Sequence, residues 1–146
     1  MSNNYRLSSG GEINRTEKIS FKFNGKTFFG YKGDTLASAL LANGVHLVGR
    51  SFKYHRPRGI LGSGAEEPNA LVQIIKDKAK TDPNMRATQI EIFEGLEAKS
   101  QNCWPSVKFD IGEISNLFSP ILPAGFYYKT FMWPSNLWEK YEYFIR

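Results

Sequence analysis

Apolar and polar positions alternate near the beginning of the chain. The segment ISFKF at residues 19–23 has an apolar side chain at every second position, as a half-buried strand does. Asn24-Gly25 follows, and this dipeptide tolerates the positive φ angles of a type I′ turn. The segment KTFFGY at residues 26–31 then runs back with a similar composition. The pattern predicts a β-hairpin.

A helical period replaces the alternation after the hairpin. Four apolar residues follow at the i, i+3 and i+4 spacing of an amphipathic helix: Leu36, Ala37, Leu40 and Leu41. Asp34 or Thr35 is expected to cap the first turn, and Asn43-Gly44 is expected to end the helix. The sequence therefore predicts one short helix packed on the hairpin.

Three later segments have the composition of strands. Residues 45–48 form a short apolar run, residues 71–75 form a second, and residues 85–93 contain the alternating segment QIEIF. A hairpin, a helix, a loop and further strands predict an α+β roll in which a mixed sheet grips one helix.

Both ends of the chain lack this regularity. Residues 1–17 are polar and rich in Gly and Ser, so we expect an N-terminal arm that orders only when another surface covers it. Residues 101–146 form an irregular extension that is too aromatic to cover itself, so a connector lying across another domain or subunit is expected. Nine of its aromatic residues lie between Phe126 and Arg146: Phe126, Tyr127, Tyr128, Phe131, Trp133, Trp138, Tyr141, Tyr143 and Phe144.

The composition limits the class of protein and its cellular compartment. The chain has 146 residues, 41% of them hydrophobic, and a formal net charge of +5, which suits one globular domain with extensions. Cys103 is the single cysteine, so no internal disulfide can form. The first residues contain no apolar core of a signal peptide, and no apolar run is long enough for a membrane span. We therefore expect a cytoplasmic protein that does not bind a membrane.

The loop RGILGSGAEEPNALV at residues 58–72 carries the main chemical question. Plant-type [2Fe–2S] ferredoxins place three cysteines as C-x4-C-x2-C on a loop, and a fourth lies farther along the chain. On this loop the three places fall on Gly62, Glu67 and Ala70. Glycine and alanine have no ligating side chain, and one carboxylate with Cys103 cannot replace four thiolates. The sequence predicts no metal site here.

Three pieces of the chain carry a resemblance to a known family: RLSSGGEINR at 6–15, GDTLASALLANGVHLVGRSFKYHRPRGILGSGAEEPNALV at 33–72 and PAGFYYKTFMWP at 123–134. The chain resembles the N-terminal region of the alpha subunit of heterotetrameric sarcosine oxidase. The resemblance implies a β-grasp fold of the 2Fe-2S ferredoxin type at residues 18–100, without cluster ligands. Residues 101–146 would then connect to an FAD/NAD-binding domain missing from this chain.

The resemblance also implies an activity for the whole enzyme. It would demethylate sarcosine oxidatively to glycine, pass the one-carbon unit to tetrahydrofolate or release formaldehyde, and form hydrogen peroxide. The assembly would be an αβγδ heterotetramer with FAD, FMN and NAD. The chain contains no G-x-G-x-x-G fingerprint of a dinucleotide site, so we expect a fragment or a split-off subunit with no cofactor and no catalytic residue of its own.

The basic stretch GRSFKYHRPRG at residues 49–59 has two interpretations. It could bind nucleic acid through phosphate contacts and base stacking, as a free-standing basic adaptor would, or bind a protein partner. We favour contacts with neighbouring domains or a cofactor phosphate, and no binding to nucleic acid, because no second basic cluster extends the patch. Arg56 and Arg58 are the candidate cofactor-binding or interface residues.

The remaining candidates for chemistry have ordinary explanations. His46 and His55 have a spacing that suits no standard metal pair. Glu66 and Glu67 are adjacent and precede Pro68, which favours a solvated turn over acid–base catalysis. Cys103 has no cationic neighbour in sequence, so an inert thiol is expected.

Overall fold

The structure, a computed structural model, describes residues 5–77 and 80–118. The chain divides into two compact units, Met1–Glu113 and Ile114–Arg146. Residues 119–146, which include the aromatic cluster of the predicted connector, lie outside the described residues.

A five-stranded mixed sheet forms the centre of the first unit. The described residues contain seven strands: β1 (Asn14–Phe23), β2 (Lys26–Lys32), β3 (Gly49–Arg50), β4 (Pro57–Arg58), β5 (Leu71–Asp77), β6 (Lys80–Arg86) and β7 (Glu97–Ser100). The order in the large sheet is β2-β1-β7-β5-β6, while β3 and β4 form a separate ladder. The β1–β7 pair is parallel and the other pairs are antiparallel.

The predicted hairpin and helix are confirmed. Asn24 and Gly25 join β1 to β2 with φ angles of 51° and 75°, as the type I′ turn requires. Helix α1 (Leu36–Ala42) begins after Thr35, whose side-chain oxygen accepts a hydrogen bond from the Ser38 N–H. Gly44, with a φ of 75°, follows its last turn, so helix start and stop both agree with the local sequence.

One face of α1 packs against the sheet. The two leucines Leu36 and Leu40 are fully buried, together with Phe21 of β1, Val72 of β5 and Leu96 before β7. Burying the apolar stripe of the helix against the alternating side chains of the strands is the main stabilising contribution to the unit.

Two predicted strands are wrong. Residues 45–48 form no strand, although Val48 is fully buried, and the ladder begins only at Gly49. In residues 85–93, β6 ends at Arg86 and a 3-10 turn at Ala87–Gln89 follows. Ile90 and Ile92, of the alternating segment, form backbone hydrogen bonds with the start of α1. Ile90 O accepts from Leu36 N–H, and Ile92 N–H donates to Asp34 O.

The sequence pattern also missed the two-residue strands β3 and β4 and two strands of the large sheet, β7 and most of β6. The central strand β7 has the sequence EAKS, in which only Ala98 is fully buried. It is a strand because β1 and β5 both supply hydrogen-bond partners. The edge strand β6 is polar and contains Pro83, which is tolerated because an edge strand leaves one row of backbone groups unpaired.

The N-terminal region is attached to this unit. Strand β1 begins at Asn14, before the boundary predicted at residue 18. Farther upstream, the Arg6 guanidinium forms a two-bond ion pair with the carboxylate of Asp34, at 3.0 and 2.6 Å. Asp34 is buried and also accepts from the Tyr31 N–H and the Ser38 hydroxyl. Arg6 therefore holds the arm against the entrance of the helix.

No helix within residues 5–77 and 80–118 is long and apolar enough to cross a membrane.

Replacing the central core leucine tests this packing. Leu40→Ala should lower the free energy of unfolding by about 2–5 kcal/mol, because it leaves a cavity at a fully buried position. Urea denaturation followed by circular dichroism measures the change. Leu61→Ala, at a side chain that is 75% exposed, is the matched control and should change stability by less than about 0.5 kcal/mol. Equal effects of the two substitutions would contradict the assignment of the core.

Candidate functional site

The loop between β4 and β5 is the candidate site, and we call residues 59–70 the ligand loop. It is anchored to the chain just after β6. Thr88 donates its hydroxyl to Gly64 O at 2.7 Å, and Ala87 N–H donates to Ala70 O at 2.9 Å. Arg86 adds a bond from its guanidinium to Glu67 O. The backbone of the ligand loop is thus held at several points by one neighbouring segment.

The carboxylate of Glu67 lies inside this loop. The residue is 0% exposed, and each carboxylate oxygen accepts two backbone N–H bonds. One oxygen accepts from Leu61 and Gly62, and the other accepts from Asn69 and Ala70. Where the sequence predicts a solvated turn, Glu67 is buried, because the loop turns its own N–H groups inward around this side chain.

These bonds keep Glu67 ionised. Burial alone would raise the pKa of its carboxyl, but the hydrogen bonds from the backbone of Gly62, Asn69, Ala70 and Leu61 favour the charged form more strongly. The pKa of Glu67 is therefore lowered from its ordinary value. A negative charge sits in the loop at neutral pH.

The neighbouring Glu66 binds a different part of the same loop. It is exposed, and its Oε1 atom accepts from the N–H groups of Ser63 and Gly64 at 2.9 Å each. Hydrogen bonds from its own N–H and from those of Gly64 and Ser63 lower the pKa of its carboxyl. The two adjacent acids accept hydrogen bonds from different N–H groups of the loop, and the absence of a catalytic role for the pair stays a prediction.

The three places that carry cysteine in a ferredoxin loop do not fit a [2Fe–2S] cluster here. Gly62 has no side chain, the methyl group of Ala70 is fully buried in the core, and the Glu67 carboxylate is already bound to four N–H groups. Among the described residues no group of three or more His, Cys, Asp or Glu side chains could hold a metal ion. The ligand loop therefore offers no thiolate at these three places.

The candidate residues Arg56 and Arg58 lie at the surface beside the ligand loop. Arg58 is exposed and donates a hydrogen bond to the side-chain oxygen of Asn69. The guanidinium of Arg56 lies over the ring of Tyr54, 4.8 Å from its centroid. The structure thus brings Arg58 to the ligand loop, and a role for either arginine in binding a cofactor or another domain stays a prediction.

A buried arginine in the same basic stretch was not anticipated from the sequence. The side chain of Arg50 is 4% exposed. It donates to the carbonyl oxygens of Val107 at 3.0 Å and His55 at 2.9 Å, and it pairs with Glu113 at 3.1 Å. Its partners are mostly far away in sequence, so no local pattern distinguishes Arg50 from the exposed arginines nearby.

His55 and Asp110 form a second connection between the same segments. The His55 Nδ1 atom lies 2.7 Å from a carboxylate oxygen of Asp110, whose side chain is fully buried. The backbone N–H groups of Trp104 and Gly112 donate to the other oxygen. Burial raises the pKa of the Asp110 carboxyl, but these hydrogen bonds outweigh burial and lower it overall. Residues 50–58 and 103–113 are therefore joined through Arg50 and Asp110.

His46 and Cys103 are the remaining candidate residues. The ring of His46 packs edge-on against Tyr5, with centroids 5.2 Å apart. Burial raises the pKa of the Cys103 thiol, the Asp110 charge raises it further, and Arg50 opposes both. The thiol is therefore protonated at neutral pH, and its lack of reactivity stays a prediction.

Replacing Asp110 tests the connection between the two segments. Asp110→Asn should lower the free energy of unfolding at pH 7 by about 1.5–3 kcal/mol, because hydrogen bonds to a buried charge are lost. The folded pKa is depressed, so this contribution is present above the unfolded value near 3.8 and disappears as pH falls through the lower folded value. Urea denaturation at several pH values measures both effects.

The control for this experiment is Asp82→Asn. Asp82 pairs with Lys76 at the surface, where an ion pair contributes less than about 1 kcal/mol. A difference between Asp110→Asn and the unsubstituted protein that does not shrink at acid pH would contradict the role of the Asp110 charge.

Comparisons with known proteins agree with this geometry. The sequence profile of the 2Fe-2S iron-sulfur cluster binding domain matches residues 16–103. The crystal structure of L-proline dehydrogenase from P. horikoshii superposes with a TM-score of 0.50 at 24% identity, over 64% of this chain and 17% of that one. This likeness concerns the fold, and together with the family match it confirms the α+β, ferredoxin-like prediction.

Two curated relatives extend over more of the chain. The sarcosine oxidase subunit alpha of Rhizobium meliloti (strain 1021) is 62% identical over 97% of this chain. The sarcosine oxidase subunit alpha of Corynebacterium sp. (strain U-96) is 40% identical over 67% of it. The chain spans only 14% and 11% of the lengths of these two proteins. The chain belongs to the 2Fe-2S iron-sulfur cluster binding domain family, and within that family it is similar to sarcosine oxidase alpha subunits.

Proposed function

We propose that this chain is the N-terminal module of a sarcosine oxidase alpha subunit and that it acts as a structural and interface element. The observation that carries the proposal is the 62% identity with such a subunit over nearly the whole chain. The ligand loop supports the structural role, because a carboxylate of the protein occupies the interior of the loop.

The proposal includes the activity of the complete enzyme. That enzyme would oxidise sarcosine to glycine, pass the methyl carbon to tetrahydrofolate or release it as formaldehyde, and reduce oxygen to hydrogen peroxide. FAD, FMN and NAD would be held by the rest of the alpha subunit and by the beta, gamma and delta subunits. We assign no catalytic residue to this chain, and we place the assembly in the cytoplasm, in keeping with the single cysteine.

Exposed aromatic side chains mark a surface suited to such an interface. We call Phe52, Trp104 and Phe109 the aromatic patch; they are 86%, 69% and 69% exposed. They lie on the two segments joined through Arg50 and Asp110, and Phe52 lines the same surface hollow as Arg58. Large exposed aromatic residues beside arginines are typical of protein interfaces.

The proposed partner for this surface is the rest of the alpha subunit. The proposed organisation has an arm at 1–17, the β-grasp module at 18–100 and a connector at 101–146. Arg56 and Arg58 would become buried against the flavin- and NAD-binding part, beside the aromatic patch. The high aromatic content of the connector supports its packing against another domain.

A free-standing adaptor for nucleic acid is less well supported. Arg50 and His55 lie in the basic stretch, but their side chains are bound to Val107, Glu113 and Asp110 within the unit. The stretch therefore presents fewer groups to a phosphate backbone than its sequence suggests. Salt-dependent binding to an oligonucleotide would favour this alternative over the interface module.

Co-expression with the remaining parts of a sarcosine oxidase tests the proposal. The unsubstituted chain should co-purify as one stoichiometric flavoprotein that oxidises sarcosine. A Phe52→Glu/Phe109→Glu variant should lose most of this association, because two charges replace exposed aromatic side chains at the interface. Co-purification and gel filtration measure the association.

Phe93→Glu is the matched control. Phe93 is 56% exposed and lies before β7. Gln101 follows β7, and its carbonyl oxygen accepts a hydrogen bond from Arg50 N–H. Phe93 and the segment of Arg50 therefore lie at opposite ends of β7. The control should associate normally. Failure of the unsubstituted chain to associate would overturn the proposed function, and normal association of the double variant would remove the aromatic patch from the interface.

Iron–sulfur reconstitution tests the absence of a cluster. Anaerobic incubation with ferrous iron and sulfide, followed by desalting, should leave a colourless protein without stoichiometric labile sulfide. The reason is that Gly62, Glu67 and Ala70 offer no thiolate. A four-cysteine plant-type ferredoxin treated in parallel should become coloured. One cluster per chain would contradict the interpretation of the ligand loop.

A further inference from the structure

We propose that the ligand loop is an anion-binding nest and that Glu67 supplies its anion. In this interpretation the carboxylate takes the electrostatic place that a cluster and its thiolates take in cluster-binding loops. Removing the carboxylate would leave a site that accepts a small free carboxylate such as formate.

The hydrogen bonds to Glu67 lie at the ligand places of the loop. Two of the four N–H donors belong to Gly62 and Ala70, which occupy two of the three ligand places. The third place is Glu67 itself. The carboxylate is therefore enclosed by the backbone of the same residues that would surround a cluster.

The donors to the Glu67 carboxylate belong to the backbone. All four bonds come from main-chain N–H groups, which cannot rotate away from the loop interior as side chains can. Successive N–H groups that converge on one point form an anion-binding concavity, as in many phosphate and iron–sulfur sites. The nearby Arg86 guanidinium donates to the Glu67 carbonyl oxygen. Because the four donors are main-chain N–H groups, the peptide dipoles of the loop stabilise the negative charge of Glu67 directly.

The Glu67 carboxylate is buried and ionised. Glu67 is 0% exposed, so an ionised carboxylate there must recover the hydration that it loses. The lowered pKa of Glu67 means that the four hydrogen bonds more than offset this loss. A loop with this property favours an anion at this point, whether or not the anion is covalently part of the chain.

The test compares three variants by thermal unfolding at pH 7, in sodium chloride and in sodium formate of equal ionic strength. Glu67→Gln keeps the side-chain size but removes the charge and turns an amide group toward N–H donors. It should lower Tm by roughly 5–15 °C. Glu67→Ala should also lower Tm, and formate should raise the Tm of this variant in a saturable manner.

Glu66→Ala is the matched control, because Glu66 is adjacent and accepts two loop N–H bonds but is exposed. Formate should not raise the Tm of this control or of the unsubstituted protein, in which Glu67 already fills the nest. A Tm of Glu67→Gln equal to that of the unsubstituted protein would overturn the proposal. So would an equal effect of formate on all variants, since that would be a general salt effect.

A second measurement applies if Glu67→Ala does not fold. The Glu67 side-chain carboxyl of the unsubstituted protein can be titrated by carbon-13 NMR. Its folded pKa is depressed, so its stabilising contribution is present above the unfolded value near 4.5 and is lost as pH falls through the folded value. The titration midpoint should lie below 4.5. A midpoint at or above that value would overturn the proposal independently of any variant and of the proposed enzyme.

Discussion

The conformation of the ligand loop depends on one buried carboxylate. Glu67 gathers the N–H groups of residues on both sides of it, from Leu61 to Ala70, onto its two oxygens. Without an acceptor at this point, several backbone donors in a closed loop would be left unpaired, at a cost of about 1–3 kcal/mol for each one that stays buried. The carboxylate therefore lets the loop keep its course without a metal cluster.

The same device appears at two other places in the first unit. Asp34 is buried at the entrance of α1 and binds Arg6 from the N-terminal arm. Asp110 is buried after β7 and binds His55 together with the N–H of Trp104. Each of the two acids joins segments that are distant in sequence. In a unit with one short helix and several loops, these charged hydrogen bonds fix connections that apolar packing does not cover.

These connections bear on the proposed role of the module. An interface element must present its surface in one conformation, because ordering a loop on association reduces the affinity. Arg50 and Asp110 hold the two segments that carry the aromatic patch, and Glu67 holds the loop beside Arg58. In this chain, backbone hydrogen bonds to an internal carboxylate hold the ligand loop at places where cluster-binding loops carry cysteine.

Elements that depend on neighbouring residues could be predicted from the sequence. The Asn24-Gly25 turn and the start and stop of α1 follow from local φ preferences and capping, so they were predictable. The lack of thiolates at Gly62, Glu67 and Ala70 was readable from residue identity alone. Arg56 and Arg58 could be named only as charged candidates, because a sequence does not show what a side chain contacts.

Other features depend on contacts between residues that are distant in sequence. Strand β7 has no strong pattern of its own and exists because β1 and β5 pair with it, while Ile90 and Ile92 alternate like a strand but bond to the start of α1. Arg50 is buried because carbonyl groups of residues 107 and 108 converge on it. Glu67 is buried for a similar reason, since only the closed loop brings its four N–H donors together. Local preferences act between neighbours in the chain, whereas the burial of a charge depends on groups that folding alone makes adjacent.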